Sequence, residues 1–132
     1  NIDPKRLIFA NKLPLNQHLA RHRFGDLGLD TFNYNGHTTT SDALWSGLPV
    51  LTKVGESFAA RVSASLLTSL GIPELITHNA NEYEEKALHI ARSPETLIRL
   101  RKKVEKLKHT SQLFNSGLFT RNLEENLKNL IP

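Results

Sequence analysis

The stretch Gly36-His37-Thr38-Thr39-Thr40-Ser41-Asp42-Ala43-Leu44-Trp45-Ser46-Gly47-Leu48-Pro49-Val50-Leu51-Thr52 reads as a loop, a helix, a stop and a strand. Four hydroxyl residues lead into an apolar run, Gly47 ends the helix expected over residues 38–46, and Pro49 opens a strand over residues 49–52. The same alternation continues on both sides. Residues 6–10, 26–31 and 75–77 are short apolar runs of strand length. Residues 16–23, after Pro14, make two helical turns. Residues 57–70 make a longer helix, rich in small side chains (Ala59, Ala60, Ser63, Ala64, Ser65) that let it pack close to a sheet, with Gly71 and Pro73 after it. Strands alternating with helices imply an α/β fold: a Rossmann-like parallel sheet flanked by helices.

Toward the C-terminus the pattern becomes helical. Asn79 or Asn81 can cap a helix carrying Tyr83, Ala87, Leu88 and Ile90. Ser93-Pro94-Glu95 is a helix start with a capping hydroxyl, a proline in the first turn and an early acid; Leu97, Leu100, Val104 and Leu107 then recur at helical spacing. A last helix is expected from about residue 119 to residue 130. The expectation is one lobe over residues 1–132, its C-terminal helices covering about 94–131.

Composition narrows the function classes. The 132 residues carry 39% hydrophobic and 23% charged side chains without low-complexity tracts, as a globular domain does. No apolar run approaches the ~20 residues of a membrane helix, so no membrane partner is expected. The absence of cysteine excludes disulfides, thiolate metal sites and thiol nucleophiles and is compatible with a reducing compartment; a cytoplasmic location is expected. There is also no methionine, and a bulky Asn1 is a poor context for removal of an initiator, so the chain is expected to be a piece of something longer. The net charge of +4 resides in residues 95–109, where Arg99, Arg101, Lys102, Lys103, Lys106 and Lys108 face only Glu95 and Glu105. A basic outer face without interleaved aromatics is more often solvated than bound to nucleic acid, and no nucleic-acid partner is expected.

In an open parallel sheet, ligands sit beyond the carboxyl ends of strands, at helix N-termini. The opening stretch occupies such a place. The first N–H groups of its helix have no intrahelical partner, and the positive end of the helix dipole stands behind them, which outlines an anion site. Thr38, Thr39, Thr40 and Ser41 add donors, and Asp42 can accept hydrogen bonds from sugar hydroxyls. One hydroxyl suffices for a helix cap, so ordinary capping and ligand binding both remain open on this feature. Neither a Gly-x-Gly-x-x-Gly nor a P-loop motif is present, against dehydrogenases and P-loop enzymes. His18 and His22 have a zinc-compatible spacing, but Arg21 lies between them and no Glu follows the first His, so no metal is expected. His18 and Arg21, three residues apart on one helical face, can stack on and hydrogen-bond a planar base.

Residues 36–52 resemble the donor-site segment of glycosyltransferases built from two facing Rossmann-like domains, the GT-B arrangement. More narrowly, the chain is similar to the O-GlcNAc transferase and Spindly family. Leu29-Asp30-Thr31, Gly55-Glu56-Ser57, Ala60-Arg61-Val62, Leu70-Gly71-Ile72-Pro73-Glu74-Leu75-Ile76 and Leu113-Phe114-Asn115 also fit, so nearly the whole chain is covered. The resemblance implies the C-terminal, nucleotide-sugar donor half of the catalytic region. It implies that His18 and Arg21 address the uracil of UDP-GlcNAc, that His37, Thr38 and Thr39 contact the nucleotide and its diphosphate, and that Asp42 binds the ribose. Family members often place a lysine just after the proline of the Leu13-Pro14 segment; here that position is Leu15. The implied reaction is displacement at the anomeric carbon by a protein Ser or Thr hydroxyl, with inversion and without a metal or other cofactor. The family's remaining catalytic groups lie upstream of Asn1, so no catalytic residue is expected in this chain, and it is expected to be inactive alone. A Spindly-type lobe using GDP-fucose and a noncatalytic interaction module are the alternatives; His37 favours UDP, because the Spindly branch generally lacks that histidine.

Overall fold

A computed structural model describes residues 2–130. Three strands, β1 (Gly28–Leu29), β2 (Val50–Lys53) and β3 (Ile76–Thr77), form a parallel sheet in the order β1-β2-β3. Gly28 lies beside Val50 and Leu29 beside Leu51; Thr52 lies beside Ile76 and Lys53 beside Thr77. Parallel neighbours require a crossover, and α2 (Thr38–Trp45) and α3 (Val62–Leu70) provide the two. α1 (Leu15–Arg21) precedes the sheet; α4 (Ala80–Arg92), α5 (Pro94–Leu107) and α6 (Ser116–Leu130) follow it. The α/β, Rossmann-like architecture expected from the alternation is therefore present.

The central strand carries the core. Val50, Leu51 and Thr52 are all buried, as a strand covered on both faces must be. Leu44 from α2, Leu67 and Leu70 from α3, Ile90 from α4, and Leu100 and Val104 from α5 pack around it. Each such side chain contributes about 1.5–3 kcal/mol on leaving water. Gly47 (φ +83°) and Gly71 (φ +91°) end α2 and α3 in the left-handed region, where a side chain is strained. Asn79, rather than Asn81, caps α4 by accepting from Glu82 N at 2.9 Å, and Ser93 caps α5 by accepting from Thr96 N.

Four expectations need correction. Residues 6–10 form no strand: Pro4–Arg6 is a single 3-10 turn capped by Asp3, and Ile8 and Phe9 are each 89% exposed. A strand needs a partner, and the outer edge of β1 meets none among the described residues. The strand at 26–31 shortens to Gly28–Leu29; Asp30 N still donates to Leu51 O at 3.0 Å, and beyond it the chain enters the loop that the Asp30 side chain holds. The helix expected from residue 57 begins at Val62. Before it the chain folds back, Gly55 N donating to Ala60 O at 2.8 Å so tightly that a Cβ on Gly55 would lie 2.7 Å from that of Ala60. The last helix starts earlier than expected, at Ser116, because Asn115 Oδ1 accepts from Leu118 N at 2.9 Å. The expected helical end at residue 131 lies outside the described residues.

Candidate functional site

The site begins at the carboxyl end of β1, where Asp30 organises the loop. Its Oδ1 accepts from Thr31 N at 2.9 Å and Gly36 N at 2.7 Å, while Oδ2 accepts from Thr52 Oγ1 of β2 at 2.7 Å. Bonds to an ionised acceptor are about twice as strong as neutral ones, so one carboxylate ties both ends of the loop to the central strand. Tyr83 of α4 donates its hydroxyl to Asp30 O at 3.0 Å. Burial, and secondarily the charge of Asp30, hold the Tyr83 phenol above its ordinary value, so it remains a donor. Asn35, 1% exposed, donates Nδ2 to Thr31 O at 2.7 Å, and its backbone N–H donates to Ala59 O at 2.9 Å.

These bonds deliver Gly36 and His37 to the start of α2. A Cβ on Gly36 would collide with Oγ1 of Thr40 and lie 2.7 Å from Oγ1 of Thr39, so the glycine is required for close approach. The four hydroxyls then divide. Thr40 is buried, and its Oγ1 meets Ser63 Oγ at 2.9 Å; that hydroxyl donates to Gly36 O at 2.9 Å and fastens α2 to α3. Thr38 and Thr39 point outward and are exposed, while Ser41 is half-buried. No side chain caps α2, whose first internal bond runs from Ser41 N to His37 O. The N–H groups of the first turn, with two hydroxyls beside them, therefore face outward at the positive end of the helix. The His37 ring stacks on Tyr34 (centroids 4.9 Å apart, 15° between planes) and meets Phe58 edge-on at 6.0 Å; its buried Nε2 has no partner.

Across from α2, a cleft of about 530 Å³ is lined by residues 10–13, Leu15, His18 and Arg21. Leu13 and Leu15 supply apolar walls. His18 Nε2 lies 3.7 Å from Asp42 Oδ2, so α1 and α2 meet at this pair. Arg21 Nη1 donates to Asn11 O at 2.9 Å, which holds the segment preceding α1 against it. His22 meets the His18 ring edge-on at 4.9 Å and lines a second, smaller cleft with Gly28, Gly36, Thr39 and Thr40. The expected site residues thus form one surface: His18 and Arg21 in the cleft, Asp42 at its junction with α2, and His37, Thr38 and Thr39 one turn earlier.

Several residues of this surface were not singled out from the sequence. Asn35, Thr52 and Ser63 carry no local signal, because each acts through a residue distant in the chain. Asp30 had one usable sign, an acid ending an apolar run before a glycine-containing loop. Among the described residues no group of three His, Cys, Asp or Glu is placed to hold a metal ion, and no helix is long and apolar enough to cross a membrane. On α5 and at its C-cap, Arg101 pairs with Asp26 at 3.4 Å, Lys103 with Glu74, and Lys108 with Glu105 at 2.8 Å, so half of the basic cluster is engaged within the protein. Burial would raise the Glu74 carboxyl, but the Lys103 hydrogen bond, with further help from its own backbone and nearby cations, outweighs it and holds Glu74 below its ordinary value.

Residues 1–123 match the model of the family described as Glycosyl transferase family 41. A UDP-N-acetylglucosamine–peptide N-acetylglucosaminyltransferase of Caenorhabditis elegans is 36% identical over 124 residues, which is 94% of this chain and 11% of the relative. The probable transferase SEC of Arabidopsis thaliana is 36% identical over 93% of this chain and 13% of its own length, and the probable transferase SPINDLY of Solanum lycopersicum gives the same figures. Among solved structures, a point mutant of the O-GlcNAc transferase of Thermobaculum terrenum superposes with a TM-score of 0.89 at 35% identity, over 95% of this chain and 24% of that one. The chain spans about an eighth of the curated relatives it matches.

Proposed function

This chain belongs to glycosyltransferase family 41, and on that premise we propose that it is the donor lobe of a protein O-glycosyltransferase, holding the nucleotide of UDP-GlcNAc. The observation that carries the reading is the uncapped start of α2, with Thr38 and Thr39 exposed, one turn from an Asp42 that lies 3.7 Å from His18 of the cleft. Each end suits one part of a nucleoside diphosphate. The outward N–H groups and hydroxyls of α2 bind the diphosphate with His37 behind them, Asp42 accepts from the ribose hydroxyls, and His18 and Arg21 address the uracil between Leu13 and Leu15.

The proposed chemistry is one that this arrangement would serve. When a Ser or Thr hydroxyl of an acceptor protein attacks the anomeric carbon, the bond to the diphosphate breaks with inversion and negative charge develops on the departing phosphate. Fixed donors at α2 stabilise that charge without reorganising, so no metal ion is required in the proposal. The groups that activate the acceptor are assigned to other parts of the parent enzyme, and the chain alone is expected to transfer no sugar.

Titrating the chain with UDP and GDP in parallel, followed by amide NMR shifts, tests this. Saturable shifts confined to residues 13–22 and 36–42, weakened at least tenfold in Asp42→Ala and in Thr39→Val while the folded spectrum persists, are expected. UDP is expected to bind more tightly than GDP; the reverse order would assign the lobe to a GDP-sugar. No saturable binding of either nucleotide at millimolar concentration would favour a noncatalytic interaction module.

A further inference from the structure

The cleft beside α1 contains a cation that the pattern of site residues did not include. Lys12 lines it together with Leu13, Leu15, His18 and Arg21. Arg21 gives one of its donors to Asn11 O at 2.9 Å, and His18 Nε2 lies 3.7 Å from Asp42. Lys12 has no hydrogen-bond acceptor and no carboxylate partner among the described residues, whereas Arg101, Lys103 and Lys108 of the basic helix all have one. Its backbone is nevertheless placed, because the Arg21 bond fixes the adjacent residue Asn11 against α1. An ammonium can only donate, and in this cleft the donor sits next to apolar walls that accept a flat ring.

We propose, building on the donor-lobe reading, that Lys12 is a nucleotide-binding residue whose ammonium donates to an oxygen of the nucleoside, a base carbonyl or a ribose hydroxyl. The diphosphate is held elsewhere, at the start of α2, and Lys12 shares its cleft with the two residues assigned to the base. Position 15, at the first turn of α1, is a leucine and supplies no charge there, so Lys12 gives this cleft its unengaged cation. The occupant is a uridine nucleotide, and the lysine strengthens the nucleoside end of its binding.

Amide NMR titrations of the wild-type chain, Lys12→Gln and Lys12→Arg with UMP and with UDP test the assignment. A charge-assisted hydrogen bond predicts that Lys12→Gln raises the Kd for both ligands by the same factor, about tenfold, and that Lys12→Arg recovers most of the loss. The residue lies in an exposed segment, so an unchanged spectrum in the absence of ligand is expected for both variants. Equal affinities of wild type and Lys12→Gln overturn the proposal, as does a loss confined to UDP, which would place the ammonium on the terminal phosphate. If the wild-type chain itself binds neither nucleotide, it is the donor-lobe reading that has failed, and this inference goes with it.

Discussion

Two loops leave the carboxyl ends of neighbouring strands, and they end differently. The loop after β1 is drawn inward by Asp30 and Asn35, and it presents an uncapped helix whose Thr38 and Thr39 face solvent. The loop after β2 closes on itself: Gly55 bonds to Ala60, Ser57 Oγ accepts from Ala60 N at 3.2 Å, and Arg61 reaches back to the carbonyl of Glu56. Both occupy places where an α/β sheet can hold a ligand. Neither following helix has a side-chain cap, but only α2 opens to solvent there: Thr38 and Thr39 are exposed, whereas Ser63 and Ala64 in the first turn of α3 are buried.

The largest break in that difference is expected from Asp30→Ala. It removes the acceptor of three hydrogen bonds and strands the fully buried Thr52 hydroxyl, so urea unfolding should show a loss of about 3 kcal/mol and UDP shifts should disappear. A variant that loses less than 1 kcal/mol would show that the carboxylate does not organise the loop.

Gly36→Ala and Gly55→Ala sharpen the contrast. Each introduces a methyl group into a space that is too small, at a cost of about 1–3 kcal/mol measured by denaturant unfolding. Gly36→Ala should also abolish UDP binding, since Thr39 must move, whereas Gly55→Ala should bind UDP as the wild type does. Equal effects on UDP from both would mean the two loops do not differ in function.

The smallest effect is expected from Tyr83→Phe, which removes the hydroxyl that supports Asp30 from α4 and should cost about 1 kcal/mol. Because the folded state holds the phenol proton above the ordinary value of 10.0, the stability due to this group is complete below pH 10 and is lost as pH rises through the folded value. The wild type should therefore lose more stability than Tyr83→Phe when chemical unfolding is followed from pH 9 upward. Parallel curves would remove Tyr83 from the loop's support.

Much of this was legible because the signals are local. Ser93-Pro94-Glu95, Gly47 and Gly71 mark helix ends through the conformations of their own backbones, and the period of Leu97, Leu100, Val104 and Leu107 records one buried helical face. The outline of the site was also visible, since a helix start after a strand carries its own unpaired donors. The apolar run at residues 6–10 misled because strand formation depends on a partner rather than on composition. The row of hydroxyls was incomplete as a guide for a related reason: the chain order says nothing of Ser63, which takes Thr40 out of the exposed set.

The sequence by itself determined the alternation of strands and helices from residue 15 onward, the helix stops and the family. Only the tertiary structure decided that Asp30 ties three chain positions together, that His18 meets Asp42, that Arg21 is held by Asn11 and that Lys12 is left unengaged. The division has a physical cause: caps, stops and periodicity act within a few residues, whereas a carboxylate's partners are whichever donors the packed sheet brings within three ångströms.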